Sequence, residues 1–301
     1  MTALAAPPVD APNGAPGAQD ASRPPRRPRG KSSLGLLIFA IAAMAFSLIP
    51  FYWLVNTSLK DGSSASDGQL FPSSPTLSNY AEALSDPNFL LSLRNSVIVA
   101  SSATIIAIIF ASFAAYALAR LRLRRKGLIL TLVLSVTTFP TIAIAAPMFS
   151  LWTDIGLYDT LPGLIIPKLT FALPMAIYIL TSFFREIPKE LEESAYMDGA
   201  SPFQAFYKII LPLAVPGIAT TSILVFILCW NEFLLPITLT TSADVRTVPV
   251  AISFFSGSTE FEQPLGTISA ASVLVTIPLV IVVLIFQKRI ISGLTSGSLK
   301  G

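Results

Sequence analysis

Six apolar stretches, each close to the length of a membrane-crossing helix, constrain this chain more than any other feature. They lie at about residues 34–55, 93–119, 128–151, 161–184, 213–235 and 266–286. A helix rises about 1.5 Å per residue, so roughly 20 apolar residues cross a hydrocarbon layer about 30 Å thick. Inside that layer no water satisfies the backbone, and helices satisfy their own. Only 12% of the 301 residues are charged, against roughly a quarter in soluble domains. The expected fold class is therefore all-α, a polytopic membrane protein with six transmembrane helices.

The basic residues orient these helices, since Lys and Arg collect on the cytoplasmic side. Arg23, Arg26, Arg27, Arg29 and Lys31 precede the first span, and Arg120, Arg122, Arg124, Arg125 and Lys126 separate the second from the third. Arg185, Lys189 and Lys208 separate the fourth from the fifth, and Lys288, Arg289 and Lys300 follow the sixth. Sixteen of the 20 basic residues thus share one side, which places both termini in the cytoplasm. Lys60, Arg94, Lys168 and Arg246 are left for the other side or for span ends. The loops at about 56–92 and 236–265 then face outward, the first carrying a short amphipathic piece near Tyr80 to Leu84 that suits a small cap or a plain connector.

Several function classes drop out. There is no histidine, and the one cysteine, Cys229, lies in an apolar run, which excludes an internal disulfide and a His/Cys zinc site. The net charge of +3 indicates no nucleic-acid partner. The first apolar run is too long for a cleaved signal core and reads as an anchor. Residues 1–33, rich in Ala, Pro and Gly, form an expected disordered tail. Within it "RGKSS" imitates the end of a nucleotide-binding loop, but the loop's first Gly falls on Pro25. The chain is expected to carry no ATP site of its own.

The polar stretch at 188–212 stands apart. Pro188 to Met197 suits a short helix with Glu190, Glu192 and Glu193 near its positive N-terminal end. Asp198-Gly199 ends it, and Ser201-Pro202 offers an N-cap and first residue for a second helix carrying Ala205, Phe206, Ile209 and Ile210 on one face. Two readings fit: an amphipathic hairpin lying on the membrane, or an element that docks in a groove of another protein.

The pattern Glu193-Ser194-Ala195, three residues, Gly199, nine residues, Ile209, one residue, Leu211-Pro212 resembles the EAA signature of permease subunits of binding-protein-dependent ABC importers. Ser194 stands where that signature has its first alanine. The stretches "NSVIVASSATIIAIIFASFAAYALARL", "FPTIAIAAPMFSLWTDIGLYDTLPGLIIP", "FALPMAIYILTSFFREIP" and "FILCWNEFLLPITL" resemble the MalG-like branch of carbohydrate permeases. The ending from Phe261 is similar to permease subunits of trehalose importers. The resemblance covers about 34–301 and implies a MetI-like, type I ABC importer permease fold. It implies that the chain is a transporter subunit and not an enzyme, with no cofactor of its own and with ATP and Mg on a partner ATPase. The hairpin would be the coupling helix: Glu193 facing a basic group of the ATPase, Gly199 allowing the bend, and Met197, Phe203 and Phe206 supplying apolar contacts beside Asp198. The implied partners are a second homologous permease, an ATP-binding subunit dimer, an extracytoplasmic sugar-binding protein, membrane lipid and a sugar. Trehalose leads among the sugars, and other di- or oligosaccharides or polyols share most of these stretches. The tail at 287–301 would reach the ATPase; by itself it reads as a frayed end.

Trp230, Asn231 and Glu232 lie near the outer end of the fifth span. They suit the water interface or the sugar path, where aromatic faces stack on sugars and amides or carboxylates bond hydroxyls. Pro140, Pro147, Pro167, Pro174 and Pro278 should kink or bound helices, as static shaping or as hinges. Two rival classes remain. A secondary transporter needs coupling-ion residues mid-membrane, whereas the acidic residues here gather at loops and span ends. A membrane scaffold is the other.

Overall fold

The computed structural model describes residues 32–61, 64–255 and 264–296, with side chains over 34–61, 64–255 and 264–285. The expected N-terminal tail lies outside them. The chain divides into two units, Met1–Ile49 and Pro50–Gly301. The described part of the first is the start of one apolar helix, α1 (Ser32–Ser58), which carries Pro50 inside it and continues into the second unit. No strand occurs among the described residues.

In the second unit a short helix, α2 (Ser78–Ser85), leads into α3 (Pro87–Arg120), whose start Asp86 caps by accepting the Asn88 N–H. There follow α4 (Lys126–Ser135), α5 (Thr141–Asp154) and α6 (Leu161–Glu186). After them come α7 (Glu190–Met197), α8 (Pro202–Ala205), a π-helical turn at Phe206–Ile210, and α9 (Leu211–Leu213). The chain closes with α10 (Val215–Asn231), α11 (Leu234–Leu239), α12 (Val248–Ser253) and α13 (Leu265–Ser296). Backbone helix thus persists to Ser296, ten residues past the expected end of the last span. The first residues of the expected frayed tail are helical.

α1, α3, α6 and α13 are long and apolar enough to cross a membrane; α4 with α5 and α8–α9 with α10 qualify only as bent pairs, at 83° and 73°. The stretch 128–151 is therefore not one straight helix. Its break falls where Ser135, Thr137 and Thr138 turn their hydroxyls onto carbonyls three residues back and Pro140 withholds an N–H. Pro147, Pro167, Pro174 and Pro278 stay inside helices, in α5, α6 and α13.

The core is the pairing of α3 with α6, which run parallel. Ala100, Ala103, Ala107, Ala111 and Ala115 form a stripe along α3 that faces Ala172, Ala176, Leu180 and Phe184 of α6. Small residues let backbones approach, which is how helices gain packing where lipid removes the hydrophobic drive. Gly217 does the same for α10: a Cβ there would lie 2.5 Å from the Phe183 ring. Large apolar side chains such as Ile105, Phe110, Phe113 and Ile285 are exposed on the outside, as a lipid-facing surface requires.

The end of the bundle at the N-termini of α3 and α6 is closed by polar ties. Asn79 of α2 donates to the carbonyls of Ser58 (2.9 Å) and Lys60 (2.7 Å), and Lys60, buried, pairs with Asp67 at 2.6 Å. That bond holds the Asp67 carboxyl below its ordinary pKa. Asp159, at φ +57°, accepts from the N–H groups of Thr241 (2.9 Å) and Ser242 (3.1 Å). Burial alone would raise its pKa; these bonds, with Arg246 nearby, outweigh burial and hold it low. The loop between α1 and α3 is therefore a built cap around α2.

Candidate functional site

The polar stretch folds as two helices joined by a fixed corner. α7 ends in a Schellman arrangement: Gly199 takes φ +83°, its N–H donates to Tyr196, and the Ala200 N–H donates to Ala195 (2.9 Å). Ser201 and Gln204 then form a capping box, the Ser201 hydroxyl accepting from the Gln204 N–H and the Gln204 side chain accepting from the Ser201 N–H at 2.8 Å. With Pro202 at the first turn, the corner has little freedom left.

Two opposite surfaces result. Glu193, Ser194, Met197, Asp198, Gly199 and Phe203 are exposed, Met197 at 89% and Phe203 at 66%. Ser194 fits as a small residue whose hydroxyl donates to the Glu190 carbonyl at 2.8 Å. Ala195 and Phe206 are buried, Ile209 and Leu211 are half-buried, and Pro212 is exposed beside the bend into α10. Phe206 lies 4.8 Å from the Tyr116 ring and 5.3 Å from the Phe113 ring, with Phe184 behind it. That corrects the expectation that Phe206 offers an outward contact: it is the peg that seats the hairpin on α3 and α6.

The charge that anchors the hairpin carries no local mark in the sequence. Glu192, adjacent to the exposed Glu193, is buried and pairs with Arg120 of α3 at 3.2 Å, both side chains at most 6% exposed. Arg120 also donates to the Ile187 carbonyl at 2.5 Å. Arg120, the first of the five basic residues between the second and third spans and the one inside the last turn of α3, is the signal that a carboxylate comes to meet it.

At the other end of α10 the expected trio separates. Trp230 is 2% exposed, packed in the core beside Phe226. Asn231 and Glu232 line an open groove of about 560 Å³ with Thr141, Phe171, Met175 and Ile227. Glu232 is held there by Lys168, 1% exposed, at 2.9 Å, and by the Leu235 N–H at 2.8 Å, while Lys168 also donates to the Cys229 carbonyl. Lys168, which the basic-residue pattern leaves for the other side or for a span end, is thus a second functional candidate the pattern does not disclose; a basic side chain in "LIIPKLTFALP" needs an acidic partner.

Comparison with known proteins gives a consistent picture. Residues 70–296 match the family described as "Binding-protein-dependent transport system inner membrane component". The chain is 48% identical over 258 residues, 86% of its length and 94% of the relative's, to the trehalose transport system permease protein SugB of Mycobacterium tuberculosis. It is 41% identical, over 88% of its length and 96% of the relative's, to the trehalose/maltose transport system permease protein MalG of Thermococcus litoralis. It is 40% identical, over 88% of its length and 93% of the relative's, to the sulfoquinovosyl glycerol transport system permease protein SmoH of Agrobacterium fabrum. Among solved structures, a chain of a bacterial ABC transporter that imports alginate superposes with a TM-score of 0.71 at 25% identity, covering 87% of this chain and 99% of that one.

Proposed function

The chain belongs to the family of inner membrane components of binding-protein-dependent transport systems, and from that premise we propose how its hairpin and groove serve sugar import. It is a permease subunit of an ABC sugar importer, a transporter part whose ATP is hydrolysed on a separate subunit. In our reading the complete importer adds a second homologous permease, two ATPase copies binding ATP and Mg, and an external sugar-binding protein. The chain sits in the inner or plasma membrane with both termini cytoplasmic, as its basic residues favour.

The observation that carries the reading is the hairpin's two-sidedness. Met197 and Phe203 stand out from a doubly capped corner, while Phe206 and Glu192 lock its back to the bundle. Such an element accepts force on one face and delivers it through the other. An ATPase cleft receives the exposed face, Glu193 meeting a basic group and Met197 and Phe203 filling apolar space. Nucleotide binding then has to favour one permease conformation over the other, since a ligand with equal affinity for both moves nothing. Asn231 and Glu232 lie on the sugar path, where amide and carboxylate bond hydroxyls. Trehalose is the cargo that the similarity to the trehalose permease favours.

The test is uptake of labelled trehalose by cells lacking this chain and complemented with wild type, Met197→Glu or Phe203→Glu. Restored uptake with wild type, and its loss together with ATPase copurification in variants present at normal levels, supports the reading. Normal uptake with both variants refutes the hairpin's role. Uptake of a different sugar alone replaces the cargo.

A further inference from the structure

Arg120 and Glu192 lie behind the surface assigned to the ATPase. We propose that they are positioning residues for energy coupling: a buried charge tie through which displacement of the hairpin is transmitted to α3. The proposal rests on the coupling reading of the hairpin.

The geometry around Arg120 is that of a junction. It is the last residue of α3, and its guanidinium reaches both the Ile187 carbonyl in the α6–α7 linker and the Glu192 carboxylate on α7. One turn earlier on α3, the Tyr116 hydroxyl lies 3.5 Å from the Tyr196 hydroxyl of α7 and 3.4 Å from the Pro202 carbonyl at the start of α8. A single turn of α3 therefore touches the linker, α7 and α8. α7 itself is short and polar and buries only Glu192 and Ala195, so apolar packing alone would let it slide. The planar guanidinium hydrogen-bonds the Ile187 carbonyl and holds the Glu192 carboxylate as an ion pair at 3.2 Å, an attraction that resists separation of α7 from α3 where a hydrocarbon contact does not. Beyond the junction, α3 meets α6 through the alanine stripe, whose side chains have no rotamers to absorb a shift. Movement of Arg120 is thus passed to the helix as a body.

Stabilisation of the fold by itself does not explain the pair, because buried ion pairs replaced together by apolar groups of similar volume commonly leave stability intact. That gives the decisive variants. The whole importer, reconstituted in vesicles with its ATPase, second permease and sugar-binding protein, is compared as wild type, Glu192→Gln, the double variant Arg120→Met/Glu192→Leu, and the reversal Arg120→Glu/Glu192→Arg. The readouts are ATPase copurification, thermal midpoint, basal hydrolysis, stimulation by the binding protein, and sugar moved per ATP hydrolysed. The double variant is expected to assemble and hydrolyse ATP at the basal rate, but to lose about 3- to 30-fold in stimulation and in sugar per ATP. The reversal is expected to recover part of that loss. Wild-type stimulation and stoichiometry in the double variant overturn the proposal, as does a loss of uptake that only tracks falling thermal midpoint and assembly. Met197→Glu is measured in parallel: if it leaves ATPase binding and uptake normal, the docking reading fails by itself, independently of the tie.

Discussion

Gly199 and Gly217 are both needed, for different reasons. At Gly199 nothing lies within 4 Å of an added Cβ, but φ is +83°, so Gly199→Ala costs only backbone strain, about 1 kcal/mol, read as a small fall in thermal midpoint with the ATPase still attached. The larger effect lies in the membrane pair: Lys168→Met leaves the Glu232 carboxylate at the groove edge with the Leu235 N–H but without its cation, and detergent unfolding is expected to show a loss of about 1–3 kcal/mol. Lys168→Met/Glu232→Leu should restore most of it; a double variant as unstable as the single one would contradict that account. The same residues mark what a sequence discloses at this scale. Glu193, Gly199 and Ser201-Pro202 were legible because caps and a spaced pattern are local. Which of the adjacent carboxylates Glu192 and Glu193 turns inward depends on Arg120, far upstream, and that Phe206 and Trp230 are buried depends on α3 and α6. Periodicity along one segment holds no such information.

The long elements were readable from hydropathy, and their breaks were not. Helices occur at the stretches 93–119, 161–184 and 266–286, but α3 begins at Pro87, before the first of these, and α13 runs on to Ser296, past the last. Pro140 marks a disturbance near the middle of 128–151, and the 83° break also holds a tight turn at Val136–Thr138 and the hydroxyls of Ser135, Thr137 and Thr138 bonded to carbonyls three residues back. The alanine stripe of α3 is the element most sensitive to volume: Ala111→Leu should cost about 1–3 kcal/mol in thermal unfolding by wedging α3 from α6, where exposed Phe110→Leu is near neutral. At the capped end, Asp159 joins the α5–α6 loop to the segment after α11. Its folded pKa lies below the ordinary value, so its contribution is complete above the ordinary carboxylate range and is lost as pH falls through the folded pKa. Limited proteolysis of the loop at 155–160 should accelerate on acidification in the wild type, and Asp159→Asn should show the faster cleavage already at neutral pH.

At the largest scale, within the unit from Pro50 on, α3 and α6 run parallel, with polar ties at their N-terminal ends and the hairpin at their C-terminal ends. The groove of Asn231 and Glu232 and the hairpin lie at opposite ends of the segment running from α8 to α10, with a 73° bend between. Transport in this account is the conversion of force at Met197 and Phe203 into a change at that groove. Its most direct test uses the chain's own chemistry: Cys229 is the one cysteine and is buried, so Met197→Cys introduces an accessible thiol with little background. In the assembled importer, a short thiol-directed cross-linker at position 197 is predicted to yield an adduct with the ATPase subunit, while the exposed control Phe110→Cys yields none. A Met197→Cys thiol that stays freely labelled in the intact complex, with no ATPase adduct, would contradict the central claim.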